Sequence, residues 1–195
     1  MKTSECDIVI VGVGGQGVIL ISDVLGRAAV KAGMPVRGAE THGMAQRGGS
    51  VINHTRIGCR FSPMVPTGGA DVLLALEPAE ALRFGHYLSS DGVALINTEP
   101  VLPVSVTMGK SVYPGLEDLV APLKKVCRDV KTVSATALAR KAGTSQAMNV
   151  VMLGALSKYT PIKEELLWGA LCDVVPKKYL DANKRAFQIG KAEVE

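Results

Sequence analysis

No Cys-x-x-Cys pair occurs in this sequence; the four cysteines, Cys6, Cys59, Cys127 and Cys172, are far apart. That scatter excludes a zinc ribbon or a ferredoxin-type cluster held by this chain alone, and no metal site is expected. Buried, reduced thiols in a cytoplasmic protein are expected instead. Aromatic residues are scarce, at 4%, too few for a protein that reads single strands by stacking bases on rings. Long apolar runs are missing as well. Stretches such as 148–156 fall well short of the ~20 residues of a membrane span. Residues Met1 to Asp7 lack a signal peptide's apolar segment and run straight into a strand. There is no dense basic run: residues 1–100 carry 8 Lys/Arg against 9 Asp/Glu, and residues 101–195 carry 14 against 9, as single lysines and short pairs. A solvated helical surface accounts for that excess, and neither nucleic acid nor membrane is expected as a partner.

What remains is aliphatic. With few aromatics and 47% hydrophobic residues, the core must be built from Val, Leu, Ile, Ala and Met, which suits a parallel sheet buried on both faces. The length of 195 residues fits one domain, 1–195. Asp7–Val11 is short, unbroken and β-branched, as a central strand should be. A glycine-rich turn, Gly12–Gly17, follows, and Val18–Ala32 has a helical apolar face that stops at Gly33. Met34–Ala39 can be the second strand, which completes a βαβ unit. Glu40–Ser50 has no useful period, Val51–Ile57 looks like a strand carrying the polar residues Asn53, His54 and Arg56, and 60–69 is a loop. Ala70–Leu76 and Val93–Ile96 are apolar strands, separated by a helix opening at Glu77-Pro78 and running to about Leu88. Pro100, Pro103 and Pro114 punctuate short β-like pieces, Leu116–Cys127 reads as a helix, and Val130–Val133 as a last strand. From Thr136 onward the pattern is helical, with stops near Gly143, Pro161 and Pro176. The expected fold is α/β: a Rossmann-like, doubly wound, mostly parallel sheet with a helical C-terminal portion.

Gly12, Gly14 and Gly17 fit G-x-G-x-x-G between a strand and a helix, with Gly15 and Gln16 inside the turn. Such glycines permit a tight turn and leave helix N–H groups free for an anion, so a dinucleotide site is one reading. Two features oppose it. The only candidate for the ribose-binding acid is Glu40, 28 residues after Gly12, where about 20 is usual. Gln16 would also project where a pyrophosphate sits. The other reading is a close-packed turn with no cofactor of its own, or one that contacts a partner's ligand.

Residues 37–60 hold Arg37, Arg47, Arg56 and Arg60 with only Glu40 as counter-charge, together with His42 and His54. Arginine without lysine points to bidentate recognition of carboxylate or phosphate, or to pairing with carboxylates of this or another subunit. Neither histidine has a visible nucleophile or carboxylate companion, and nothing near Cys59 forms a triad.

The runs Gly12-Val13-Gly14-Gly15-Gln16-Gly17, Arg37 to Val51 (RGAETHGMAQRGGSV) and His54 with Arg56-Ile57-Gly58 resemble one family. It is the gamma-type domain of the 2-oxoacid:ferredoxin oxidoreductases, specifically the indolepyruvate type. Asn149 before Leu153-Gly154-Ala155, and Asn183 to Phe187 with Gly190, resemble that family's closing signature. The likeness implies oxidative decarboxylation of an aryl 2-oxoacid with coenzyme A as co-substrate and ferredoxin as acceptor. It implies a larger alpha subunit that carries thiamine diphosphate and the iron–sulfur clusters, with none held by this chain. It also marks Gly12, Gly14, Gly15, Gln16, Gly17, Glu40, His42, Gln46, Arg47, Gly48, Gly49, His54 and Arg56 as ligand-binding or interface candidates; no catalytic residue is assigned. The alternatives are a stand-alone dinucleotide-binding oxidoreductase or regulatory protein, and an interaction module that has kept the fold alone. A chain without its partner would expose apolar surface, which offers a route to a homodimer when isolated.

Overall fold

Short runs of branched aliphatic residues build one six-stranded sheet: β1 (Cys6–Val13), β2 (Val36–His42), β3 (Ser50–Ile57), β4 (Ala70–Ala75), β5 (Leu88–Asn97) and β6 (Asp129–Val133), in the order β2-β3-β1-β4-β5-β6. The structure is a computed structural model and describes residues 5–42 and 48–194. Strands β1, β4, β5 and β6 pair in parallel, whereas β3 is antiparallel to both β1 and β2. The sheet is mostly parallel and doubly wound, as expected.

The βαβ unit is completed across an inserted strand. The first helix, α1 (Val18–Lys31), carries the chain to β2, but β2 does not lie beside β1. β3 slips between them, with Ile10 opposite Asn53 on one side and Asn53 opposite Glu40 on the other. Residues Glu40–His42, read as irregular, continue β2 because β3 supplies the ladder that their sequence does not advertise.

Alternate residues of the central strands face two cores. Ile8, Ile10, Val72, Leu74, Val93 and Leu95 meet α1 and the C-terminal helices; Val9, Val11, Leu73, Ala75, Ala94 and Ile96 meet α2 (Pro78–Arg83) and its neighbours. The expected helix to Leu88 is shorter than that: after Arg83 comes one 3-10 turn, and β5 already starts at Leu88. The 100–115 segment holds a short helix, α3 (Val104–Thr107), where β-like pieces were expected. The helix expected over Leu116–Cys127 is α4 (Leu116–Val120) followed by a 3-10 turn, broken at Pro122.

The C-terminal portion supplies α5 (Ala135–Ala142), α6 (Met148–Leu156), α7 (Glu164–Val174) and α8 (Leu180–Glu193). Helix α6 is buried along its whole length and crosses α8 at backbone contact. A Cβ on Gly190 would stand 1.8 Å from the Val151 carbonyl oxygen, and one on Gly154 would stand 2.1 Å from that of Phe187. This close approach is the physical content of the Leu153-Gly154-Ala155 and Asn183–Gly190 signatures.

Candidate functional site at the carboxyl edge

The connections from β1 and β4 leave on opposite faces of the sheet, through α1 and α2. Their carboxyl ends therefore define a topological switch point, where open α/β sheets usually bind ligands. The glycine turn lies there, with Gly12 still inside β1 and Gly14–Gly17 leading into α1.

Gln16 does not project outward. Its Oε1 accepts from the Val13 N–H at 2.9 Å and its Nε2 donates to the Leu76 carbonyl at 2.9 Å, so the amide bridges the ends of β1 and β4. Gly12 is packed rather than open, since a Cβ there would lie 2.8 Å from Gln16 Oε1. Gly17 combines a φ of 87° with the Asn149 side chain, whose Nδ2 lies 2.1 Å from where a Cβ would be. Gly14 is paired across to β3: its N–H donates to the Gly49 carbonyl at 2.8 Å, and its carbonyl accepts from the Gly48 N–H at 3.4 Å. The glycine turn and the Gly48–Ser50 stretch are thus one surface. Gln46 and Arg47 lie outside the described residues. His42 ends β2 across from Val51 at the same edge.

The remaining candidates fall elsewhere. Arg56 sits at the opposite, amino edge, where it holds Asp7 bidentately at 2.8 Å on each oxygen and donates through Nη1 to the Ser62 carbonyl at 3.1 Å. Arg37 faces Arg56 in the neighbouring strand, and Arg60 follows β3 at that end. Arg37, Arg56 and Arg60 therefore do not gather at the carboxyl edge. Antiparallel β3 delivers its C-terminal residues to the amino edge, which charge counting along the chain cannot reveal. His54 is buried in mid-sheet, accepts through Nδ1 from the Val65 N–H at 3.3 Å and meets Tyr87 edge-on at 5.0 Å. Burial lowers its pKa and keeps it neutral. Glu40, the would-be ribose acid, is two strands from β1 and borders a groove of about 740 Å³ between α1 and β2–β3.

Polar residues that the sequence reading passed over complete the edge. Glu77 is buried; its Oε2 accepts from the Glu80 N–H at 3.0 Å as the cap of α2, and its Oε1 accepts from the Tyr113 hydroxyl and from the Val101 N–H at 3.4 Å. Burial and then the bond to Glu77 raise the Tyr113 phenol above its ordinary pKa, so it remains the donor. Glu80 is buried too and accepts from the Ser50 hydroxyl. Asn97, at the end of β5, donates to the Leu76 carbonyl at 3.1 Å, the acceptor it shares with Gln16. Its own Oδ1 is the one buried side-chain oxygen or nitrogen without a partner among the described residues. Asn97 lines a crevice of about 350 Å³ with Gln16, Glu99, Thr136, Arg140 and Gln146. The signal for this set was local: Glu77-Pro78 is a helix cap, and Asn97 ends an apolar strand at the ligand-binding edge.

Three cysteines are buried and Cys172 is half-buried, all as free thiols. Burial pushes Cys6 up to about 12 and raises Cys127 as well. Among the described residues no group of three or more His, Cys, Asp or Glu is arranged to hold a metal ion. An iron–sulfur cluster does not fit this donor set. No helix among them is long and apolar enough to cross a membrane.

Fold and edge together place the chain in a class: it belongs to the pyruvate ferredoxin/flavodoxin oxidoreductase family, whose model matches residues 7–193. It is an oxidoreductase subunit of that family. Among individual proteins it is similar to indolepyruvate oxidoreductase subunit IorB of Archaeoglobus fulgidus, with 46% identity covering 94% of this chain and 92% of that one. It is less similar to ketoisovalerate oxidoreductase subunit VorA of Methanothermobacter thermautotrophicus, at 29% identity over 95% of this chain but only 36% of the longer VorA. Its fold matches the crystal structure of pyruvate oxidoreductase subunit PORC from Thermotoga maritima with a TM-score of 0.71 and 27% identity, over 98% and 97% of the two chains.

Proposed function

We propose that this chain is the gamma-type subunit of a cytoplasmic, indolepyruvate-type 2-oxoacid:ferredoxin oxidoreductase, which forms an acyl-CoA from an aryl 2-oxoacid. A larger alpha subunit carries thiamine diphosphate and the iron–sulfur clusters, supplying carbanion chemistry and electron transfer to ferredoxin. The observation that carries the substrate class is the contrast in likeness: 46% identity to an indolepyruvate enzyme subunit against 29% to a ketoisovalerate one, over nearly the same length of this chain. The stand-alone dinucleotide reading is weakened by Glu40, the one candidate for the ribose acid, which β3 separates from β1.

Within that complex, the surface made by Gly14–Gly17 and Gly48–Ser50 faces the shared cleft and, with Gln46 and Arg47, which precede it in the sequence, seats coenzyme A or the oxoacid carboxylate. Two features support this. The surface adjoins an α-helix N-terminus. The nearby Asn97 Oδ1 is buried without a donor, a cost of about 1–3 kcal/mol that a ligand N–H or O–H would relieve.

Two measurements test the reading. Anaerobic pull-down of the tagged chain from its native source should recover a brown, cluster-bearing partner with thiamine diphosphate and arylpyruvate- and CoA-dependent dye reduction. Recovery of the chain alone, carrying NAD or FAD, would replace it with the dinucleotide reading. In the active complex, Arg47→Ala should raise the KM for coenzyme A or oxoacid about tenfold or more, the effect of losing one charge-assisted bond. An unchanged KM in an intact complex removes Arg47 from the ligand site; weakened assembly makes it a docking residue.

A further inference from the structure

Between β5 and α4 the chain leaves the sheet and becomes almost wholly exposed. Residues 100–115 contain a single charge, Lys110, and three prolines. Their apolar side chains point away from the protein: Val101 is 41% exposed, Leu102 47%, Val104 68%, Met108 65% and Val112 92%. Five of the twelve large, exposed apolar residues among the described residues lie in this one stretch. Scattered exposed leucines and valines need no explanation, but a contiguous, uncharged cluster does.

The segment is nevertheless built. Helix α3 contributes no buried residue, yet its turn is closed by N–H donors of Thr107, Met108 and Gly109 and by a 2.9 Å bond between Ser111 and Ser105. Both ends of the arm meet on one buried oxygen, Glu77 Oε1, which accepts from the Val101 N–H and the Tyr113 hydroxyl. A projection closed by its own hydrogen bonds, with its apolar side chains left exposed, is suited to burial in another molecule, because part of its ordering entropy is already lost.

We propose that residues 101–112 form a docking arm that inserts into an apolar groove of the catalytic partner subunit, with Glu77 as the positioning residue that clamps the arm's two ends. The inference rests on the reading of the chain as a subunit. In VorA the matching domain is 36% of one polypeptide, so there most of the chain is joined covalently to it. A free subunit must replace that link with surface, and an arm with one lysine offers apolar contact rather than charge. Val101 also borders the Asn97 crevice, so a partner seated on the arm closes the crevice's open side.

The test compares the unaltered chain with a Val104→Ser, Met108→Ser, Val112→Ser variant, each co-expressed with the partner subunit and purified as the complex. All three positions are exposed, so the isolated variant should keep its Tm while its affinity for the partner falls about tenfold or more, as expected when central apolar anchors are lost. A second measurement needs no variant. Trypsin should cut the free chain after Lys110 and spare that bond in the complex. Equal retention of the partner by both chains, with Lys110 cut equally fast in the complex, would overturn the arm and leave the subunit reading intact. A self-dimer of the unaltered chain that the variant abolishes, with partner binding unchanged, would overturn it in favour of a second copy. Failure of the unaltered chain to retain any partner would overturn both readings together.

Discussion

Gln16 commits both ends of its amide to the interior of the protein: one to the N–H of Val13, the other to the carbonyl of Leu76. Gln16→Ala takes its acceptor from the Val13 N–H and leaves the Leu76 carbonyl to Asn97 alone, so it should destabilise the chain by about 1–3 kcal/mol. Urea unfolding checks this, and a change below about 0.5 kcal/mol would mean that the bridge contributes nothing. His54 predicts a pH response. Burial depresses its pKa in the folded state, so between the two pKa values the unfolded chain binds more protons than the native one. Its neutral burial stabilises fully above the unfolded value of about 6.5 and loses effect as pH falls through it, by at most about 1.4 kcal/mol per pH unit. The Tm measured from pH 7.5 to pH 5.5 should fall less steeply in His54→Gln than in the parent chain; parallel curves would contradict the assignment. Residue identity alone made the turn at 12–17 readable as a strand–helix junction. It could not show that Gln16 turns inward, because its acceptor Leu76 lies 60 positions away. Nor could it show that Arg56 is taken up by Asp7, 49 positions away.

At the scale of elements, α6 and α8 are held at a distance that only glycine allows. Gly190→Ala should push the helices apart at the Val151 carbonyl. The cost is about 1–3 kcal/mol or more, because overpacking against backbone cannot be relieved by a rotamer change. Chemical denaturation measures it, and a neutral result would show that the helices can separate freely. The central parallel strands were legible because β1, β4 and β5 are unbroken apolar runs that need burial on both faces. The insertion of β3 between β1 and β2 was not, since strand order is a choice among non-local pairings that alternation does not encode. The arm at 101–112 resisted reading for a related reason. Its Val-Leu-Pro-Val-Ser-Val pattern looks strand-like, and only the lack of a neighbouring strand turns it into a projection.

At the scale of the whole molecule, the two faces of the sheet are unequal. One is covered by α2, α4 and short turns that follow their strands closely; the other has α1 early but waits for α6, α7 and α8 to complete its cover. The five strands β1 to β5 are complete in sequence at Asn97, but Ile10, Leu74 and Leu95 gain their full cover only when residues 148–190 arrive. A ribosome working at 5–20 residues per second needs roughly 5–20 s to supply that stretch of about 100 residues. During this interval the nascent chain presents an aliphatic sheet face that α1 covers only in part. Synthesis of this subunit therefore has a window of aggregation risk set by chain order, and a truncation before α6 would make that transient state permanent.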